Sequence, residues 1–267
     1  MRVPLKLKFY YLLSRFFQKN KTPNFSMDTP REIRPGEEFA LEKLKTYLSE
    51  NNINTDNLSI KQFPSGYSNL TYFLKSSSQE FVLRRPPFGA KSLQGGHDMF
   101  REYNVLKNLK SQFTKVPDVY LYCDNNEIIG VPFYLMERVE GYIIRPNLQQ
   151  KDSPGKEVIQ RVSKSLVSSL VELHNVDIDQ ANLNELGNIN GYIKRQVEGW
   201  IKRYNHSKTD SIANMDFIAS WLHENQPLED QSSIVHNDFK YDNLILDKDN
   251  HSKITAVLDW EMATIGD

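Results

Sequence analysis

The chain has 267 residues, 39% hydrophobic and 25% charged, a globular composition long enough for one large domain or two lobes. Lys and Arg number 33 against 34 Asp and Glu, so the net charge of -1 gives no bulk pull toward nucleic acid. The single cysteine, Cys123, excludes an internal disulfide framework and any multi-cysteine metal site, and no apolar run approaches the ~20 residues of a membrane-spanning helix.

The N-terminal stretch MRVPLKLKFYYLLSRFFQKNK carries six basic residues, and no acid appears before Asp28. Its longest apolar run, Phe9 to Leu13, is too short for a signal-peptide core. Three readings stay open: a basic amphipathic segment that touches a membrane surface, an organelle-targeting peptide, or translated leader ahead of a start at Met27. The expected location is cytoplasmic, or organellar if residues 1–26 are a targeting peptide. Residues 22 to 37, rich in Pro, Thr, Asn and charge, read as linker.

EEFALEKLKTYLSE then places Phe39, Leu41, Leu44 and Leu48 near helical spacing. SIKQF (59–63), NLTYFLK (69–75) and EFVLRR (80–85) read as three short strands, with turn chemistry at PSGYS between the first two. HDMFREYNVLKNLK predicts an amphipathic helix with Phe100, Tyr103, Leu106 and Leu109 on one side. VPDVYLYC and VPFYLMERVEG are strand-like. After Gly141 the character changes: 156–176, 189–204 and 211–225 read as helices, and strand signals return only at 233–247 and 253–260. The expected class is α+β, with a strand-rich part (35–140) following a basic extension (1–34) and preceding a helix-rich part (141–267).

The stretch HNDFKYDN, 236 to 243, places a knot of polar groups between apolar arms. NLILD and ITAVLD look like the two arms of a hairpin about residue 251, which sets Asn243 opposite Asp259. Asp238 lies five residues before Asn243, so one spot gathers Asp238, Asn243 and Asp259. These oxygen donors suit a hard cation such as Mg²⁺. Asn243 and Asp259 are the candidate metal ligands, Asp238 the group that orients or deprotonates an attacking hydroxyl, and Lys240 a neutraliser of phosphoryl charge. A polar turn explains any one of these residues; the spacing of the set is harder to explain that way.

With those residues in view, the chain resembles the aminoglycoside phosphotransferase and choline kinase branch of the protein-kinase-like fold. H-N-D-F-K-Y-D-N resembles its catalytic loop, and L-D-W-E its equivalent of the kinase D-F-G. The resemblance covers roughly residues 35 to 267. It implies a two-lobed fold, an antiparallel-sheet first lobe and a helical second one, with ATP and Mg²⁺ as cofactors and a small-molecule hydroxyl as acceptor. It also implies further site residues. Ser65, Gly66 and Ser68 in the P-S-G-Y-S-N turn would face the phosphates. Arg84, with Arg85 one register away, stands where protein kinases carry Lys, and Glu102 is its partner carboxylate. Met136, Glu137 and Val139 in F-Y-L-M-E-R-V-E-G would line the adenine site. His174 and His236 are read as structural.

R-P-G-E-E, V-L-R-R-P-P and D-W-E-x-A-x-x-G-D point to a subgroup with members linked to acyl-CoA dehydrogenases, for which phosphorylation of hydroxylated acyl-CoA is the implied chemistry. An aminoglycoside-like, choline-like or sugar acceptor stays open, as does a nucleotide-binding relative without activity. Relatives continue with several helices beyond the D-W-E segment, so the chain reads as C-terminally truncated and its second lobe as incomplete. There is no H-E-x-x-H, G-x-S-x-G, Walker A or Rossmann glycine pattern to support a competing chemistry.

Overall fold

A computed structural model describes residues 24–26 (backbone only), 28–64, 68–90, 97–145, 155–212, 214–228 and 231–267. Ser65 and Gly66 lie outside the described residues. In chain order the elements are β1 (Asn24–Ser26), α1 (Leu41–Glu50), β2 (Ser59–Gln62), β3 (Leu70–Lys75), β4 (Glu80–Arg85), α2 (Met99–Leu109), β5 (Val119–Cys123), α3 (Asn126–Ile129), β6 (Phe133–Glu137) and β7 (Ile143–Arg145). Then follow α4 (Lys156–His174), α5 (Tyr192–Ser207), α6 (Met215–Glu224), β8 (Ser233–Val235), β9 (Leu244–Leu246), β10 (Ile254–Val257) and β11 (Thr264–Gly266), with single 3₁₀ turns at Asn184–Leu186, Tyr241–Asn243 and Trp260–Met262.

The first part is an antiparallel five-stranded sheet of order β2-β3-β4-β6-β5. β4 is its centre, and alternation along it sends side chains to two different cores. Phe81 and Leu83 join the cluster that includes Leu44 and Leu48 of α1, whereas Val82 joins the larger core shared with α2 and the second part. The fold is α+β and two-lobed, as the sequence pattern predicts, and protein-kinase-like, as the family resemblance implies.

α2 is capped by Asp98, whose side chain accepts from the Arg101 N–H at 2.9 Å. Its buried face is Met99, Glu102, Val105, Leu106 and Leu109, while Phe100 is half exposed. The stripe is therefore rotated from the expected one, and a carboxylate sits in the middle of it.

The 22–37 stretch is not plain linker. β1 pairs with β7, and Arg31 bridges Gln62 through reciprocal backbone hydrogen bonds. β7 itself was not legible in the sequence. The β9–β10 hairpin forms as expected, but a bulge between Ile254 and Ala256 shifts its register by one, so Leu258 donates to the Asn243 carbonyl at 2.8 Å and Asp259 lies one residue beyond.

The chain leaving β6 packs directly on this hairpin. Tyr142 and Leu246 exchange both backbone hydrogen bonds (2.9 and 2.8 Å). A Cβ at Gly141 would sit 2.2 Å from the Leu246 carbonyl oxygen and 2.5 Å from Ile245 Cγ2. Backbone there cannot give way cheaply, so Gly141→Ala is expected to destabilise the fold by about 1–3 kcal/mol, the usual cost of overpacking. A urea unfolding midpoint equal to that of the wild type would contradict this close approach.

Candidate active site

The cleft between the sheet and the hairpin has a volume of about 310 Å³. Val82, Met136, Ile143, Ile245 and Leu258 give it apolar walls, and Ser68, Arg84, Lys240, Asn243 and Asp259 supply polar groups around it.

Two left-handed residues shape the polar end. Asn237 (φ 65°) and Asp259 (φ 69°) are non-glycine residues at positive φ, a sparsely populated region that persists only where neighbours fix it. Here they do. Asn237 Nδ2 donates to the Met262 carbonyl at 3.0 Å, joining the 236–243 loop to the segment after Asp259. His236 lies between them, 1% exposed. Its Nε2 bonds the Leu258 carbonyl at 3.0 Å and its Nδ1 accepts from the Asp238 N–H at 3.2 Å. That pairing needs a neutral ring, and burial correspondingly pushes the His236 pKa down. The ring also packs edge-on against Trp260, which is fully buried. His236 thus braces the loop.

Asp238 Oδ2 accepts from Lys240 Nζ at 2.7 Å and from Asn243 Nδ2 at 3.0 Å. The Asn243 Nδ2 also donates to the Asp238 carbonyl at 3.0 Å. Asn243 Oδ1 carries no hydrogen bond among the described residues, so it is the oxygen left to coordinate a cation. Asp238, Lys240 and Asn243 therefore meet at one place, and Asp259 lines the same cleft as Lys240 and Asn243.

Arg84 is the hub on the sheet side. Its side chain is 9% exposed, yet it faces three carboxylates: Glu102 Oε1 at 3.3 Å, Asp259 Oδ1 at 3.0 Å and Glu261 Oε2 at 3.6 Å. One positive charge faces three carboxylates, so the cluster favours keeping a proton on one of them. Glu102 shows the consequence. Burial raises its pKa, Arg84 lowers it, and Asp259 and Glu261 raise it again, to about 7. Glu261 is pushed up by burial and then by Asp259. Glu102 Oε1 also accepts from the Trp260 N–H at 3.2 Å, so one carboxylate holds both Arg84 and the backbone next to Asp259.

Arg85 does not share this site. Strand parity turns it to the opposite face of the sheet, where it is fully buried. There it donates to the Glu37 carbonyl (2.7 Å) and the Tyr72 hydroxyl (2.8 Å), and it stacks 3.9 Å from the Phe88 ring centroid. It fastens the chain ahead of α1. Met136 and Val139 line the cleft. Glu137 lines it too, but its N–H already donates to the Asp118 carbonyl at 2.7 Å and its carboxylate accepts from the Asp118 N–H at 3.1 Å. Ser68 lies at the cleft rim.

Several residues were not singled out from the sequence. Asn69 Nδ2 donates to Glu261 Oε2 at 2.6 Å, although both stood inside stretches that drew attention. Arg145 pairs with Asp28 and, at 2.7 Å, with Asp242, at the rim of the same cleft. Nothing local in the sequence marks that trio, because its members are 117 and 97 residues from Arg145.

Residues 59–267 match the profile of the phosphotransferase enzyme family, well over half of the chain. The chain belongs to that family. Acyl-CoA dehydrogenase family member 11 of Rattus norvegicus is 39% identical over 249 residues, which is 90% of this chain and 32% of that protein. The chain thus spans about a third of the length of that curated relative. Among solved structures, a provisionally named aminoglycoside phosphotransferase from Ralstonia eutropha superposes with a TM-score of 0.74 at 32% identity, covering 86% of this chain and 67% of its own. The aminoglycoside phosphotransferase APH(4)-Ia, solved with ADP and hygromycin B, shares the fold at a TM-score of 0.55 and 17% identity, over 84% of this chain and 72% of its own. No described helix of this phosphotransferase-family chain is long and apolar enough to cross a membrane.

The raised Glu102 pKa has a pH signature. Its folded-state value of about 7 lies above the ordinary 4.5, so the folded chain keeps a proton that the unfolded chain has lost. The stability this contributes is present below the unfolded value and is lost as pH rises through the folded one. Glu102→Gln keeps an acceptor for the Trp260 N–H and removes the titration. Thermal melts between pH 4.5 and 7 are expected to fall more steeply with rising pH in the wild type than in this variant. Parallel slopes would show that the carboxylate stays ionised throughout.

Proposed function

We propose that this chain is a small-molecule kinase that transfers the γ-phosphate of ATP, with Mg²⁺, to an acceptor hydroxyl. The observation that carries the reading is the polar end of the cleft, where Asp259, held by Arg84, lines the same wall region as Asn243 and Lys240. The residues fit a divalent cation. The donor set is hard oxygen, one carboxylate (Asp259) and one amide (Asn243 Oδ1), few enough to leave room for phosphate and water. When bound, Mg²⁺ supplies charge neutralisation on the phosphates.

The chain's own residues do the rest. Both hydrogen bonds to Asp238 fall on Oδ2, so Oδ1 is the oxygen that orients the acceptor hydroxyl and takes its proton. Lys240, about half exposed, sits close enough to Asp238 to follow negative charge as it builds on the transferred group. Arg84 holds Asp259 in place rather than reaching freely into the cleft, and so acts on phosphate mainly through the metal ligand it anchors. The apolar walls at Val82, Met136, Ile143 and Leu258 would take the base. Since the Glu137 N–H is engaged with Asp118, pairing to the base falls to the Glu137 carbonyl and the Val139 backbone. Ser65 and Gly66 are proposed, on the family resemblance, to face the phosphates with Ser68.

The domain assignment belongs to the same proposal: residues 35–140 carry the nucleotide site, and 141–267 the catalytic loop and metal hairpin. For the acceptor we propose a hydroxylated acyl thioester. What supports it is the 39% identity to part of an acyl-CoA dehydrogenase family protein. An aminoglycoside is the competing acceptor, supported by the solved phosphotransferases of the same fold.

The test pairs calorimetric titration of Mg-ATP with phosphate transfer to hydroxyacyl-CoA and to an aminoglycoside panel. Asp238→Asn is expected to lower transfer by at least ~10²–10⁴-fold, the usual worth of a positioned base, while nucleotide affinity stays near that of the wild type. Retained transfer, or loss of nucleotide binding in that variant, would sink the assignment. Binding without transfer in the wild type would instead favour a nucleotide-binding regulator.

A further inference from the structure

Glu261 is not among the residues that line the cleft, yet it touches two that do. Its Oε2 accepts from Asn69 Nδ2 at 2.6 Å and lies 3.6 Å from Arg84. Asn69 in turn bonds His97 Nδ1 through its Oδ1 at 2.9 Å. Asn69 immediately precedes β3, His97 immediately precedes the α2 cap, and Glu261 lies two residues beyond Asp259. One amide therefore joins the edge of the sheet, the start of α2 and the segment that carries the metal ligand.

The contact spans 192 residues of sequence and crosses the cleft. Glu261 is 13% exposed and Asn69 1%. A hydrogen bond to a carboxylate at this burial is strong, and no water stands ready to replace it at a residue 1% exposed. Arg84 alone already has Asp259 and Glu102, so its charge does not require a third carboxylate. The further acid is explained by what else it holds.

We propose that Glu261 is a positioning residue for the phosphotransfer site, a clamp that fixes the Ser68–Asn69 end of β3 against the Asp259 segment and so sets the width of the phosphate end of the cleft. It acts through Asn69 and Arg84 and touches no substrate itself. The clamp rests on the kinase reading only for its effect on nucleotide; its mechanical part stands independently of that reading.

The experiment has two arms on the whole chain. In the first, hydrogen exchange of residues 68–75 is followed without nucleotide. Glu261→Ala and Asn69→Ala are each expected to speed exchange at the start of β3. Glu261→Gln, which keeps an oxygen for Asn69 Nδ2, is expected to behave as the wild type. In the second arm, Mg-ATP affinity is measured by calorimetry. Each alanine variant is expected to bind about 10-fold more weakly, and the double variant by clearly less than the product of the two losses, since the bond they share is removed only once. Additive losses would overturn the clamp. So would a Glu261→Gln variant as impaired as Glu261→Ala, which would assign the effect to charge at Arg84 or the metal. If an alanine variant fails to fold, the Gln variant and Asn69→Asp, which sets a carboxylate against Glu261 at unchanged size, decide the matter by exchange alone. A wild type that binds no nucleotide would overturn the kinase reading and leave the first arm to judge the clamp.

Discussion

The structure turns on one buried guanidinium. Taking Arg84 out of water costs several kcal/mol, and only close, well-placed carboxylates offset that cost. Those carboxylates come from elements far apart in the chain. Glu102 lies on α2, and Asp259, 175 residues from Arg84, lies at the exit of the β9–β10 hairpin. Satisfying Arg84 therefore requires that the sheet, α2 and the hairpin be assembled together. Desolvation by burial lowers the Arg84 pKa, and its anionic neighbours, Glu102 first and then Asp259, outweigh that and raise it. Burial above all, and then Asp259 and Glu261, drive Glu102 up toward neutrality against the pull of Arg84. The cluster is balanced for a further positive charge.

The backbone around the cluster is held in conformations it would not adopt alone. A left-handed Asp259 is uncommon for a side chain other than glycine, and it reaches Arg84 while Trp260, the next residue, goes into the core. Trp260 anchors that bend: its indole N–H donates to the Val257 carbonyl at 2.9 Å and its backbone N–H to Glu102. Arg101 adds a second tie from α2, donating to the Leu186 carbonyl at 3.0 Å and to the Ala263 carbonyl. Thus adjacent residues of α2 grip the segment on both sides of Glu261. A helix gripped in this way has little freedom to swing, and the position of Asp259 follows from α2 packing rather than from its own loop.

The legible and illegible parts divide along range. Strand alternation at 70–75 and 80–85, the apolar spacing of α1 and α4, and the hairpin after Asn243 are local patterns, and each appears near its expected place. The polar set at 236–243 was legible because its members lie within one loop and one hairpin. Strand parity would have parted Arg84 from Arg85, since neighbours on a strand face opposite sides, but parity fixes a face only once one residue is known to point to the core. The bulge at Ile254–Ala256 has no sequence mark and moved the register by one. Glu102 was placed beside Arg84 by the family resemblance alone, because its burial depends on a partner on another element. Asn69–Glu261 and Asp28–Arg145–Asp242 are wholly long-range pairings; single-sequence pattern carries no term for them.

That division bears on how the site is held. The residues proposed to handle phosphate, metal and acceptor proton sit on short local segments, whereas the residues that hold those segments apart or together are joined over 97 to 192 residues of chain. Local hydrogen bonds fix Asp238 against Asn243 to within an ångström wherever the loop goes. The distance from that loop to the sheet is set instead by Arg84 and by Asn69 with Glu261. Loosening the second group leaves every reactive side chain in its own correct conformation and yet misplaces it, and a displacement of about 1 Å is enough to cost ~10²-fold in rate where in-line positioning carries the catalysis. The chemistry can be read from a loop, but its rate is decided by the contacts that hold the loop opposite the sheet.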